Sequence, residues 1–167
     1  MTLNEITTLE ALQTTTPEST LTETAKTMKT ANCGVLPVVN EKQEVIGVIT
    51  DRDICLALAG GTTATTKKVK EVMTTNVTTV TIDDTVDAVL RVMREGKVSR
   101  VPVLDSARKL KGIVSFHNLV SIAGTKGKFD STLLKDKGEN IVKTMYALSE
   151  GYTGTTTKQP TVTGSML

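Results

Sequence analysis

Gly47-Val48-Ile49-Thr50-Asp51-Arg52-Asp53 returns 65 positions later as Gly112-Ile113-Val114-Ser115-Phe116-His117-Asn118. Each run carries a glycine, an apolar pair, a hydroxyl and, three residues on, a carboxylate or an amide. The β-branched residues read as the end of a strand, and Thr50 or Ser115 as the cap of a following helix, because a hydroxyl can accept one of the orphan N–H groups of a first helical turn. A junction this particular, found twice, makes the repeat the feature through which every other motif is read.

Working outward at the same shift, Val35-Leu36-Pro37-Val38-Val39-Asn40 falls on Arg100-Val101-Pro102-Val103-Leu104-Asp105, a short apolar run ended by a turn former. Val45-Ile46-Gly47 falls on Leu110-Lys111-Gly112, completing a second strand in each copy. Leu21, Ala25 and Met28 fall on Val86, Leu90 and Met93, the i, i+4, i+7 stripe of an amphipathic helix. No gap is needed between Pro17–Leu58 and Ile82–Ala123. Each copy therefore reads helix, strand, turn, strand, helix. A unit of roughly fifty residues can hardly bury its apolar face alone, so the copies are expected to pack on each other.

Before the second copy, Lys68-Val69-Lys70-Glu71-Val72-Met73 reads as a short helical turn and Val77–Ile82 as an alternating strand. Thr8-Leu9-Glu10-Ala11-Leu12-Gln13 is the candidate match before the first copy. There only four residues separate Leu12 from Pro17, so the first strand of copy one is expected to be short or absent. Gly60–Thr66 has the composition of a flexible linker. The expected domain plan is residues 1–66 for repeat one with its linker, 67–124 for repeat two, and 125–167 for an extension. That extension holds a helix at about 133–150, followed by a Thr- and Gly-rich flexible tail. The fold class is α/β (α+β), two β-α-β-β-α units in pseudo-two-fold array plus a C-terminal helix.

Composition narrows function. The net charge of +2 is spread along 167 residues, leaving no polybasic face for DNA or anionic lipid. Two Phe, two Tyr and no Trp offer no base-stacking platform for single strands. No apolar run approaches the ~20 residues that span a bilayer, and Met1-Thr2-Leu3-Asn4-Glu5 lacks the character of a signal peptide, so a cytoplasmic protein is expected. Cys33 and Cys55 sit in apolar sequence and read as buried free thiols. With a single histidine, His117, neither a His-based triad nor a His-rich metal site is supported.

The chemistry that remains is binding. Asp53 follows a glycine and a hydroxyl at a strand–helix junction, where a carboxylate can accept both hydroxyls of a ribose while helix N-terminal amides meet phosphate. Asn118 puts an amide at the equivalent place, able to accept one hydroxyl and donate elsewhere. A ligand-free reading, in which Gly47 and Gly112 relieve crowding and Thr50 and Ser115 only cap, fits the spacing equally well. Asp83 and Asp84 read as helix-start residues.

Both junctions match the phosphoribosyl-binding pattern of CBS domains: glycine, apolar, any, Thr or Ser, two free positions, then Asp or Asn. Together with Val35–Val39 and Val101–Asp105, the region from about Thr8 to Ala123 resembles a stand-alone CBS pair, or Bateman module. The resemblance implies a pseudo-symmetric pair with two composite clefts for adenosine derivatives: AMP, ADP, ATP, S-adenosylmethionine or NAD. One cleft would join Val35, Leu36 and Pro37 to Ser115 and Asn118. The other would join Val101 and Pro102 to Thr50 and Asp53, and the short first strand of copy one favours this cleft. Arg52, His117, Lys97 and Arg100 are the phosphate candidates.

The function so implied is a regulatory nucleotide sensor with no catalytic residues, catalytic cofactor or metal. It would act as a homodimer through CBS faces and be read by an effector protein. The alternative is an assembly module that binds no nucleotide and docks through the helix around Ile141, Met145 and Leu148.

Overall fold

A computed structural model describes residues 2–3, 12–125 and 131–151. Copy one comprises α1 (Leu21–Ala31), β1 (Val35–Val39), β2 (Val45–Thr50) and α2 (Asp51–Ala59). A 3-10 turn (Val69–Glu71) leads to copy two: β3 (Val80–Thr81), α3 (Val86–Gly96), β4 (Arg100–Leu104), β5 (Leu110–Ser115) and α4 (Phe116–Thr125). A long helix, α5 (Ser131–Gly151), follows. The candidate matching element Thr8–Gln13 lies largely in residues 4–11, outside the described residues, as does the tail from 152 onward.

The shift read from the sequence reappears in the geometry. Helix α1 starts at Thr20, whose hydroxyl accepts from Glu23 N at 3.2 Å while the Glu23 carboxylate accepts from Thr20 N at 2.7 Å. It ends at Asn32, in the left-handed region at φ 51°. Helix α3 starts at Thr85 and ends at Lys97, also left-handed at φ 50°. The β1–β2 and β4–β5 hairpins are antiparallel with equivalent registers, Val35 facing Thr50 and Arg100 facing Ser115, and each bulges at the same place. Their turns are closed alike: Asn40 Oδ1 accepts from Glu44 N at 2.9 Å, and Asp105 Oδ1 from Lys109 N at 2.8 Å.

Each copy has its own apolar cluster. Leu21, Met28, Leu36, Val38, Ile49 and Ile54 form one; Val86, Leu90, Met93, Val101, Val114 and Leu119 belong to the other. The segments ahead of the repeats are exchanged. Leu3 is buried in the cluster of copy two, where its N–H meets Asp84 O at 3.0 Å. Val69 is buried in the cluster of copy one, where its N–H meets Ser19 O at 2.9 Å. Residues 67–74, assigned by sequence to the second repeat, thus pack on the first. A bridge between the equivalent residues Glu44 and Lys109 marks where the two hairpins meet about the pseudo-two-fold.

The first strand of copy one is reduced to Thr15, which bridges Val38 in parallel; its equivalent, Val80, belongs to β3 and bridges Val103. Where copy two packs Val80 and Val89 in its cluster, copy one buries Thr15 and Thr24 with their hydroxyls 3.2 Å apart. The expectation of two buried thiols is corrected at Cys55. Cys33 is half-buried against the first cluster, but Cys55 is exposed, because Ile54 holds the inward position on α2 and the next residue turns about 100° away. No helix among the described residues is long and apolar enough to cross a membrane.

Candidate functional site

Both junctions form reciprocal caps. At the start of α2, Thr50 Oγ1 accepts from Asp53 N at 3.1 Å, and Asp53 Oδ2 accepts from Thr50 N at 2.8 Å and from Thr50 Oγ1 at 2.7 Å. At the start of α4, Ser115 Oγ accepts from Asn118 N at 3.0 Å, and Asn118 Oδ1 accepts from Ser115 N at 3.2 Å and from Ser115 Oγ. The cap therefore uses one oxygen in each case. Asp53 keeps a second carboxylate oxygen, Oδ1, to which no described residue donates. Asn118 has spent its only side-chain acceptor and keeps the Nδ2 amine. One copy presents an acceptor bearing charge, the other a neutral donor.

The surroundings amplify the contrast. Asp51 and Arg52, both exposed, open α2, and Asp51 Oδ1 accepts from Arg52 N at 2.7 Å. A Cβ on Gly34 would stand 2.8 Å from Asp51 Oδ2, so this glycine makes room for the carboxylate beside β1. In copy two the equivalent pair is Ser99 and Phe116, and the Phe116 ring packs on the cluster instead. That end of copy two carries Arg100, directly opposite Ser115 in the hairpin, with Lys97 three residues before it and His117 on α4. The α2 junction carries Asp51, Arg52 and Asp53, whereas the corresponding positions of the α4 junction, Phe116, His117 and Asn118, hold no carboxylate and Arg100 stands beside them.

The hairpin registers bring each junction beside the strand of its own copy, Val35 beside Thr50 and Arg100 beside Ser115. Leu36 and Val101 are core residues at 1% and 0% exposure, their side chains in the helix-side clusters. They can face a ligand only through their backbone, a consequence of strand alternation that a motif read by position does not reveal. Pro37 and Pro102 are buried on the opposite strand face, and Val35 is half-buried. The close approach at Gly47 serves the linker: a Cβ there would lie 2.7 Å from Met73 Sδ and 3.1 Å from Thr74 O. Sequence reasoning left out Gly34 and read Asp51 only as a helix-start carboxylate; their mismatch with Ser99 and Phe116 in the repeat alignment was the signal that the two junctions differ here.

The CBS domain profile matches residues 5–60 and again 69–124. The chain belongs to the CBS domain family. Among relatives with known names, the L-aspartate semialdehyde sulfurtransferase of Methanocaldococcus jannaschii is 38% identical over 104 residues, 62% of this chain; the chain spans only 20% of that protein. The CBS domain pair of protein MJ0100, solved with 5′-methylthioadenosine and S-adenosyl-L-methionine, is 33% identical. It superposes with a TM-score of 0.65 over 75% of this chain and 98% of that one. CBSX2, solved with AMP, is 25% identical with a TM-score of 0.63, covering 73% of this chain and 95% of that one. CBS pairs similar to this chain thus bind adenosine compounds, and this chain has their fold.

Proposed function

We propose that the chain is a regulatory module that binds an adenosine ligand between its two repeats, without transforming it, and passes occupancy on as a change in how repeats or protomers sit. The observation that carries this reading is the second oxygen of Asp53, left over after the cap and set at a helix N-terminus where a ribose diol can donate to it. The best cleft is the one joining Thr50 and Asp53 to Val101 and Pro102. In that cleft Asp53 would take the ribose, and Arg100 and Lys97, from the copy-two side, would take the phosphate. Arg52 and His117 flank the phosphate side of the two junctions. The Asn118 cleft, with Ser115, Val35 and Pro37, lacks a ribose acceptor and is the weaker.

Regulation rather than turnover is part of the same proposal. A sensor needs only a differential affinity for two arrangements, and one spare acceptor beside a cap is enough to bind a ribose. A cytoplasmic setting, where Cys33 and Cys55 stay reduced, and a homodimer read by an effector protein belong to the same proposal. The assembly reading loses a main anchor, because Ile141 packs on the copy-two cluster.

Thermal denaturation with AMP, ADP, ATP, S-adenosylmethionine, 5′-methylthioadenosine and NAD tests the reading. A ligand at a hundred-fold excess over its Kd adds about 2.7 kcal/mol, a rise of roughly 5–10 °C for a chain of this size. The rise should vanish in Asp53→Ala at the same concentration. Flat midpoints with every ligand would refute it.

A further inference from the structure

Helix α5 does more than cover copy two. Where it crosses α3, Asn140 Nδ2 donates to Asp87 Oδ1 at 3.1 Å, and one turn on Thr144 Oγ1 donates to Leu90 O at 3.3 Å. Beside the first of these bonds lies an open cleft of about 320 Å3 between the two helices, walled among the described residues by Asp87, Ala88, Arg91, Arg94 and Asn140. None of the junction residues, 50–53 or 115–118, lines it, so it is separate from the proposed adenosine site. The equivalent face of α1 has Lys26 and Lys29 at the places of Arg91 and Arg94, and among the described residues no helix lies over it as α5 lies over α3. The cleft therefore belongs to copy two alone.

Its charges are left in a state that suits an anion. Asp87 stands one turn before Arg91, the spacing at which a carboxylate and a guanidinium on one helix pair. They do not pair here. Asp87 Oδ1 takes the Asn140 amide of α5, and neither the Arg91 nor the Arg94 side chain makes a hydrogen bond or ion pair with a described residue. Lys67, Lys70, Lys111 and Lys143, by contrast, each pair with an acid. Glu95, one turn beyond Arg91, is exposed and is not among the walls. Two guanidinium forks one turn apart thus line the cleft uncommitted, and the Asn140 amide has a second hydrogen besides the one given to Asp87. A terminal phosphoryl group offers three acceptor oxygens and close to two negative charges, which matches three donor groups better than the two oxygens and single charge of a carboxylate. We propose that the α3–α5 cleft binds a small phosphate monoester, Arg91 and Arg94 holding two phosphoryl oxygens and Asn140 Nδ2 donating to the third. The volume takes a phosphoryl group with a short carbon chain, a water occupying about 30 Å3. The bound ester bridges the two helices, giving the chain a second input on its C-terminal helix.

The test is isothermal titration of the full chain with glycerol 3-phosphate at constant ionic strength, over about 0.1 to 20 mM so that millimolar affinity is visible. The wild type should bind it saturably, and glycerol should not bind. Arg91→Gln and Arg94→Gln should keep the circular dichroism and urea midpoint of the wild type, and each should weaken the ester at least about tenfold. Asp53→Ala and Arg100→Gln, in the adenosine cleft, should bind it as the wild type does. Asp87→Asn keeps an acceptor for Asn140 and removes a negative charge from the cleft. It should tighten the ester about twofold or more, a sign that loss of structure does not produce. Four results would overturn the proposal: no saturable binding by the wild type; an affinity unchanged in Arg91→Gln and Arg94→Gln; a loss in Asp53→Ala or Arg100→Gln, which would place the ester in the adenosine cleft; or an Asp87→Asn variant that binds no more tightly.

Discussion

At the residue scale the caps decide what the two junctions can do. Thr50 and Ser115 were legible as caps because a hydroxyl before an apolar helix start has few other uses. That the cap would consume the Asn118 oxygen and spare one of Asp53 was not legible, since both side chains satisfy the same pattern by position. Replacing Thr50 or Ser115 by Ala should lower stability by about 1 kcal/mol each, read from urea midpoints at unchanged slope. Asp53→Asn keeps the capping oxygen but swaps the spare acceptor for a donor. It should leave the midpoint within about 0.5 kcal/mol of wild type while weakening the adenosine ligand at least about tenfold. Loss of stability in step with affinity would mean that Asp53 only caps.

Thr15 and Thr24 show a residue pair that the sequence hid. Read by periodicity, Thr24 looks polar within an amphipathic helix, yet it is 1% exposed. Its hydroxyl also reaches Thr20 O at 2.9 Å, so its polar group is satisfied within its own turn. Thr24→Val leaves the Thr15 hydroxyl buried without that partner and should cost about 1–3 kcal/mol. Thr15→Val with Thr24→Val restores the Val80–Val89 arrangement of copy two and should recover most of the loss. A double variant no better than Thr24→Val alone would show that the pair is uncoupled.

At the element scale the helices and hairpins were the readable part, because the apolar stripe of α3 follows one period and the hairpin strands are short β-branched runs bounded by turn residues. The 3-10 turn was readable as a turn, but its packing against copy one was not, since periodicity says nothing of which cluster buries Val69. Gly47 is where the linker presses on that copy. Gly47→Ala brings a Cβ within 3.1 Å of Thr74 O, a backbone atom that must shift, and should cost about 1–3 kcal/mol. Truncating Met73 to Ala in that background relieves the 2.7 Å sulfur contact and should make the second substitution cheaper than it is alone.

The cap of α1 gives an acid-side signature. Hydrogen bonds from the Thr20 backbone and hydroxyl hold the Glu23 carboxyl below its ordinary value of 4.5. A carboxyl with a lowered folded value contributes its stability in full above the unfolded value and loses it as pH falls through the folded one. The urea midpoint of the wild type should therefore drop more steeply than that of Glu23→Gln as pH falls from about 5 towards about 3. Parallel curves would remove the cap from the account.

At the scale of the whole molecule, the shift of 65 positions located the matched hairpins and the paired junctions, and the structure adds the Glu44–Lys109 bridge where the two hairpins meet. The asymmetries are what a repeat cannot supply: a threonine for a strand, Asn118 for Asp53, and one helix for two faces. They make the halves unequal, and the proposed ligand site is the one built on Asp53, which keeps a carboxylate oxygen that its cap does not use. Isothermal titration of the full chain with AMP, 5′-methylthioadenosine and S-adenosylmethionine tests this most directly. The account predicts saturable binding of at least one of them, at a first site abolished by Asp53→Ala and retained in Asn118→Ala. Binding that survives Asp53→Ala unchanged, or no heat with any adenosine ligand, would contradict it.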